Sequence, residues 1–431
     1  MTDRRTKALV VLLYGRHAGV VEEGDDGRLS FTYGDDHRRD QHAVPISLSM
    51  PVARPTHGDT VVRPFMWGLL PDSEQVLERW ARTYQVSARN PFALLTNVGE
   101  DCAGAVQFVR PDRADKLIAG SGGIDWIDNA EVARRLRILR RDPAAWHVSE
   151  SGQFSLAGAQ AKTALHFDPD SHRWGDPWGS VPTTHILKPA VTGFDDHDLN
   201  EHLCLEAARG LGLPAARSQV GSFDGERVIV VERYDRRVVD GSVIRIHQED
   251  TCQALGVPPT QKYQNEGGPA PEDIVRLLRA ETRPPASAEQ DVRRFVDALA
   301  FNWLIAGTDA HAKNYSLLIG PRQVHLAPLY DVSSALSYDD MYLPRLKVAM
   351  RIGREYRLEA IGGRHWREFA ANNAQDPDAL IARIHDLAVE LPASLSRAAS
   401  DPAVRALATD LPGRLVERVT ARARRCQTAL A

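Results

Sequence analysis

Gly307-Thr308-Asp309-Ala310-His311-Ala312-Lys313-Asn314 places a carboxylate, an imidazole, an ammonium group and a carboxamide in one short loop. A long helix is predicted just before it. Ser287 is set to cap that helix, with Gln290 completing a capping box, and Val292, Phe295, Val296, Leu299 and Trp303 form its buried stripe until Gly307 stops it. After the loop, Tyr315–Ile319 and a segment carrying Val324, Leu326 and Leu329 flank Gly320-Pro321-Arg322. This is the pattern of two short antiparallel strands, which would return Tyr330-Asp331-Val332 to the side of Asn314. The chemistry open to such a loop is specific. Asp309 can accept or orient a hydroxyl proton, while the oxygens of Asn314 and Asp331 suit a hard divalent cation. Asp and Asn in a loop can equally serve turn hydrogen bonds alone, so the neighbouring segments decide.

Those segments point one way. Thr183-Thr184-His185-Ile186-Leu187-Lys188 reads as a strand ending in a lysine suited to nucleotide phosphates, and a helix follows with Glu201 near its start, placed to hold that lysine. Protein kinases use a base Asp and a metal-binding Asn at this same Asp-x4-Asn spacing, with such a lysine and glutamate upstream. Val228–Val231 runs into Glu232-Arg233-Tyr234-Asp235, a strand-to-hinge transition that could bracket an adenine; a surface edge strand is the plain alternative. Ser155-Leu156-Ala157-Gly158-Ala159-Gln160-Ala161-Lys162 is rich in small residues that let backbone N–H groups approach phosphate. It has neither the G-x-G-x-x-G nor the Walker pattern.

Composition narrows the class. With 431 residues the chain is long enough for two lobes and a sizeable core. Fifty-three basic against 57 acidic side chains leave a net charge of −4, which argues against a nucleic-acid binder acting through a broadly basic surface. Apolar content of 43% excludes wholesale disorder. Cys102, Cys204, Cys252 and Cys426 are scattered with no C-x-x-C pair, so neither a zinc ribbon nor a disulfide scaffold is expected, and a reducing cytoplasm fits. The apolar run Ala8–Tyr14 is too short for a membrane span and reads as a first strand.

Strand-like runs at Ala8–Tyr14, Gly19–Glu22 and Leu29–Tyr33 make the N-terminal part β-rich, with a turn at Gly24–Gly27. Asp72/Ser73 cap a helix whose stripe is Val76, Leu77, Trp80 and Tyr84, and Leu94–Val109 reads as loop and strand. Residues 128–152, Arg-rich and then polar, suggest a boundary, giving units of 1–150 and 151–431. Within the second, nucleotide-binding strands occupy 151–257 and a helical catalytic lobe 258–431. Pro258–Pro285 reads as a surface excursion, and Asp376-Pro377 starts a helix burying Leu380, Ile384, Leu387 and Leu391.

The motifs SLAGAQAKTAL (155–165), THILKP (184–189), NEHLCLEAARGLGL (200–213), VERYDRR (231–237), HQEDTCQALG (247–256), GTDAHAKNYSLL (307–318) and LAPLYDVSSAL (326–336) resemble the HipA family of bacterial serine/threonine kinase toxins. PISLSMP (45–51), LLPDSE (69–74), NPFALL (90–95) and GEDCAGAVQF (99–108) resemble its N-terminal domain. The resemblance implies an α+β, two-lobed kinase-like fold with a β-rich N-terminal domain and an all-helical C-terminal part, ATP lying between the lobes. It implies Asp309 as catalytic base, with Asn314 and Asp331 holding Mg²⁺. Lys188 would contact ATP phosphates, Glu232, Arg233 and Tyr234 would form the adenine hinge, and Ala157, Gly158, Ala159, Gln160, Ala161 and Lys162 would cover the phosphates. His311 and Lys313 would line the same site. Ser155 matches the family's autophosphorylated serine, whose dianionic phosphate cannot be housed in the folded-in loop. Three residues depart from the family pattern: Ala161 for a usual Glu, Ala310 for Gly and Tyr234 for Phe. None removes a group the reaction needs.

The implied partners are a helix-turn-helix antitoxin (HipB-like), operator DNA reached mainly through it, and a protein substrate, by analogy glutamyl-tRNA synthetase. No membrane is expected; the location would be cytoplasmic, or nucleoid-associated when bound to antitoxin. A kinase-shaped corepressor and a small-molecule kinase are the alternatives. Asp195, Asp196, His197, Asp198 and His202 resemble a metal cluster but sit where acidic residues are favoured anyway, and Asp35, Asp36, His37 and His42 read as a solvated loop. Arg414, Arg418, Arg422, Arg424 and Arg425 read as the solvated face of the last helix, and Arg364 with His365 as a polar turn.

Overall fold

The computed structural model describes residues 7–146, 154–190 and 196–431. The expected boundary at 150 and Asp195 therefore lie outside the described residues. Strands β1 (Lys7–Leu13), β2 (Arg16–Glu23), β3 (Leu29–Tyr33), β4 (Thr56–His57) and β5 (Val106–Val109) form an antiparallel sheet in the order β4-β3-β2-β1-β5. Strand β1 is apolar almost throughout because both its faces are covered. Leu9, Val11 and Leu13 enter the main core, while Leu12 packs with Val109, Ala114 and Leu117 behind the sheet. Glu74–Tyr84 is a helix burying Val76, Leu77 and Trp80. The segment from Leu94 to Val98, expected as loop, is the end of the helix Pro91–Val98: Asn90 accepts a hydrogen bond from Ala93 N at 3.1 Å, and Pro91 supplies the preset first turn.

A second, six-stranded sheet comprises β6 (Gly122–Ile127), β7 (Thr163–Asp168), β8 (Arg173–Gly179), β9 (His185–Pro189), β10 (Ser218–Phe223) and β11 (Glu226–Glu232), ordered β10-β11-β9-β7-β8-β6. The helix Asn129–Arg141 lays Val132, Ala133 and Leu136 against Leu165, Leu187 and Val228 of this sheet. Arg135 in the helix grips Asp176 of β8 with two hydrogen bonds of 2.6 Å. Both β6 and this helix precede residue 150, yet they pack with the strands expected to bind nucleotide.

Beyond the sheet, β12 (Arg236–Val239) and β13 (Ser242–Arg245) form a ribbon, and β14 (His247–Asp250), β15 (Ser316–Ile319) and β16 (Val324–Leu326) a three-stranded sheet. Strands β15 and β16 pair as Leu317↔Leu326 and Ile319↔Val324 around Gly320-Pro321-Arg322. Strands β17 (Lys347–Ile352) and β18 (Glu355–Arg357) are the last; Gly363–Asn372, Pro377–Ala399, Pro402–Arg405 and Leu411–Leu430 are helices.

Several local expectations change. Pro258–Pro285 is not only a surface excursion, since it contains the helix Pro271–Glu281, which buries Ile274, Val275, Leu277 and Leu278. The predicted Ser287/Gln290 capping box does not form; the helix Ala288–Ile305 grows out of a 3-10 turn, with Ser287 already in helical conformation. Ala306, at φ 57°, takes the left-handed cap position expected of Gly307. Gly307 is required for closeness instead: a Cβ there would lie 2.4 Å from Asn302 Oδ1. Arg422 is not solvated but buried, donating to Trp303 O at 2.8 and 3.1 Å and paired with Glu359. Asp196 and Asp198 pair with Arg227, and His202 with Ser218; no cluster able to hold a metal occurs among the described residues. Nor is any described helix long and apolar enough to cross a membrane.

Candidate active site

The end of β9 aims Lys188 into a cavity of about 250 Å³ between the six-stranded sheet and the loops following the long helix. The helix His197–Gly210 brings Glu201 to it, and Lys188 Nζ donates to both carboxylate oxygens at 2.7 and 2.9 Å. The β15–β16 hairpin returns Asp331, whose Oδ1 accepts from the same Nζ at 2.9 Å. Burial alone would lower the Lys188 pKa, but Asp331 and Glu201 raise it above the ordinary value, so the ammonium stays charged. Lys188 in turn holds Asp331 well below the usual carboxylate range. Asp331 adopts φ 55°, a left-handed conformation uncommon outside glycine and kept where the surroundings fix it.

The loop after Ala306 supplies the rest. His311 N donates to Asp309 O at 2.8 Å and Asn314 N to His311 O at 2.9 Å, closing the 3-10 turn Ala312–Asn314. Asn314 Nδ2 donates to Asp309 O at 2.9 Å, so its Oδ1 is the amide atom left as an acceptor; no hydrogen bond engages it among the described residues. Together with the Asp331 carboxylate this is an oxygen donor set that fits a hard divalent cation. Asp309 is exposed, and its Oδ1 accepts from Tyr263 Oη at 2.5 Å. The ring of His311 meets Tyr263 edge-on at 4.9 Å, and its Nδ1 is buried without a partner among the described residues. Burial pushes the His311 pKa down, so the ring is neutral near pH 7.

The small-residue segment is folded into the cleft. Ser155 is wholly buried, with Oγ donating to Leu69 O at 2.8 Å and N to Asp101 O at 2.9 Å. Gly158, at φ 102°, accepts at its carbonyl from Asp72 N at 3.1 Å, and a Cβ there would stand 2.7 Å from Lys162 Nζ. Lys162 turns back on its own loop, donating to Ala157 O at 2.7 Å above the Trp146 ring. Burial, then repulsion from Lys188, lowers its pKa to about 8. Both amide atoms of Gln160 are buried at the cavity wall with no partner among the described residues, as expected of groups awaiting a polar ligand.

At the hinge, Ala216, Ile229 and Val231 with Tyr234 and Tyr330 form an apolar cluster beside the cavity, a surface suited to a planar base. Glu232 is exposed at the cavity edge, and Tyr234 hydrogen-bonds Gln248 through its hydroxyl. Arg233 lines the cavity at the hinge beside Glu232 and Tyr234, but its side chain is committed elsewhere. All five of its N–H donors are spent on Asp235, Asp101, Thr183 Oγ1 and Cys102 O, so it has nothing left for a nucleotide. It belongs to a buried ionic network that also includes Arg236 and Arg245 on Asp101.

Three site residues escaped the sequence reading. Asp72, taken there as a helix cap, bridges Lys313 Nζ at 2.5 Å and Lys262 Nζ at 2.8 Å. Burial works to raise its pKa, but Lys313 and Lys262 bring it down to about 2. Lys262 and Tyr263 come from the segment taken as a surface excursion. The resemblance of LLPDSE was the one signal that could have marked Asp72.

Residues 154–395 match the HipA-like C-terminal domain and residues 9–109 the HipA N-terminal domain. A protein of Sinorhizobium fredii named "Putative kinase Y4mE" is 38% identical over 360 residues, 83% of each chain. The serine/threonine-protein kinase toxin HipA of Shewanella oneidensis is 28% identical over 392 residues, 86% of each chain. HipA of Shewanella oneidensis MR-1, solved with HipB and its operator DNA, covers 98% of both chains with a TM-score of 0.83 at 24% identity, which shows a shared fold. Matched in both of its parts and over most of its length, the chain belongs to the HipA family of kinases.

Proposed function

We propose that this chain is a protein serine/threonine kinase using ATP and Mg²⁺, acting as the toxin of a type II toxin–antitoxin pair. The observation carrying this reading is Lys188, clamped between Glu201 and Asp331 in the cavity that Asp309 and Asn314 border. A lysine so fixed is a preset charge for nucleotide phosphates, and an exposed Asp309 oriented by Tyr263 keeps its second oxygen for an incoming hydroxyl. Asn314 and Asp331 would hold Mg²⁺, which when bound neutralises phosphate oxygens. The apolar hinge cluster would take the adenine, and residues 157–162 would cover the phosphates.

The Shewanella relative's complex with HipB and operator DNA supports a HipB-like helix-turn-helix partner that brings this chain to DNA. The proposed location is the cytoplasm, at the nucleoid when bound. The proposed target is a translation component, by analogy glutamyl-tRNA synthetase, and Ser155 is the proposed site of autophosphorylation. Purified protein incubated with labelled ATP and a bacterial lysate should label protein, and Asp309→Asn should abolish the label. Labelling that survives the substitution removes Asp309 from the mechanism.

A further inference from the structure

The Lys262–Asp72–Lys313 bridge joins the segment entering the helix Glu74–Tyr84 to the catalytic loop, across most of the sequence. Its position relative to the base is informative. Lys313 shares the loop of Asp309, and Lys262 is followed by Tyr263, whose hydroxyl lies 2.5 Å from Asp309 Oδ1. A phosphoryl group in transit must lie against the hydroxyl that Asp309 orients, and Lys262, Lys313 and Asp72 line the same cavity as Asp309. The Asp72 oxygens, at 2.5 and 2.8 Å from the two lysines, make the charge-assisted contacts that two phosphoryl oxygens would make. A carboxylate and a phosphoryl dianion cannot share that pair, because like charges in a partly buried site repel strongly.

On the reading of this site as an ATP-dependent kinase, we propose that Asp72 occupies the seat of the terminal phosphoryl group, so that ATP, but not ADP, must displace it. Asp72 is then a positioning residue that sets the discrimination between the two nucleotides. It is linked to the phosphate-covering loop as well, through Asp72 N to Gly158 O.

The test is equilibrium binding of β,γ-imido-ATP and of ADP, each with Mg²⁺, to the full chain. Asp72→Asn should raise the ratio of imido-ATP to ADP affinity about tenfold, within the usual range of coupling between mutually exclusive contacts. Asp72→Glu should return the ratio toward wild type. Lys262→Met, which removes one of the two cations, should lower it, and carries the test should Asp72→Asn melt. A ratio unchanged in Asp72→Asn or Lys262→Met, or a selective loss of imido-ATP binding in Asp72→Asn, overturns the proposal. Wild-type protein that binds neither nucleotide removes the kinase reading itself, a result distinct from a wild type that binds both with an insensitive ratio.

Discussion

Lys162 is a cleft cation that titrates close to ordinary conditions. Burial and Lys188 bring its pKa to about 8, so it is cationic below that pH and neutral above it. The cationic form attracts phosphate, so nucleotide affinity should fall as pH rises from 7 to 9.5. A binding titration over that range should show the loss in wild type and a flatter profile in Lys162→Gln. Arg233 poses the opposite case, a charge locked in place. Arg233→Ala would leave Asp235 and Asp101 short of a buried counter-charge and should cost about 3–5 kcal/mol in urea unfolding. The sequence made Lys188, Glu201, Asp309, Asn314 and Asp331 visible because each stands near the start or end of, or just beyond, a regular element that carries it inward. It did not show that the Arg233 side chain is spent on Asp235, two residues on, and on Asp101 of the other domain, because no local pattern announces a buried ionic network.

Among the elements, the helix Pro271–Glu281 was hidden by the Pro- and Gly-rich residues around it, which read as loop. Its stripe of Ile274, Val275, Leu277 and Leu278 nevertheless packs against the helix Ala288–Ile305. Leu278→Ala should therefore destabilise the chain by about 2–5 kcal/mol, measured by chemical denaturation, as for other fully buried leucines. An Ala substitution that costs nothing would place the helix outside the core. The helix Pro377–Ala399 was legible because its cap is encoded locally: Asp376 accepts from Asp378 N at 2.9 Å and Ala379 N at 3.1 Å. Asp376→Ala should cost about 1 kcal/mol, the ordinary value of such a cap. At Ser287 the local signal is present but misleads: the helix continues out of the 3-10 turn Pro285–Ser287, Ser287 is already helical, and the expected capping box does not form.

For the whole molecule, Ser155 is where local chemistry meets domain assembly. Its hydroxyl is fully buried and donates to Leu69 O, while its backbone N–H reaches Asp101 O, so both contacts cross to the N-terminal domain. A phosphate there cannot keep either the volume or the charge balance of that pocket. Intact-mass measurement after ATP and Mg²⁺ should show a phosphate increment in wild type that is lost in Ser155→Ala. The phosphorylated form should be cleaved faster by protease between residues 154 and 162. An increment retained in full by Ser155→Ala moves the modification elsewhere.

The edge strand β6 carries a lesson for anyone dividing the gene. A fragment begun at residue 151 would retain Asp176 but lose Arg135, and it would bare the outer hydrogen-bonding rim of β8 that Gly122–Ile127 normally sheathes. Such a truncation strips the cover from Asp176 and leaves a sticky strand margin, a recipe for inclusion bodies that starting upstream of Gly122 avoids.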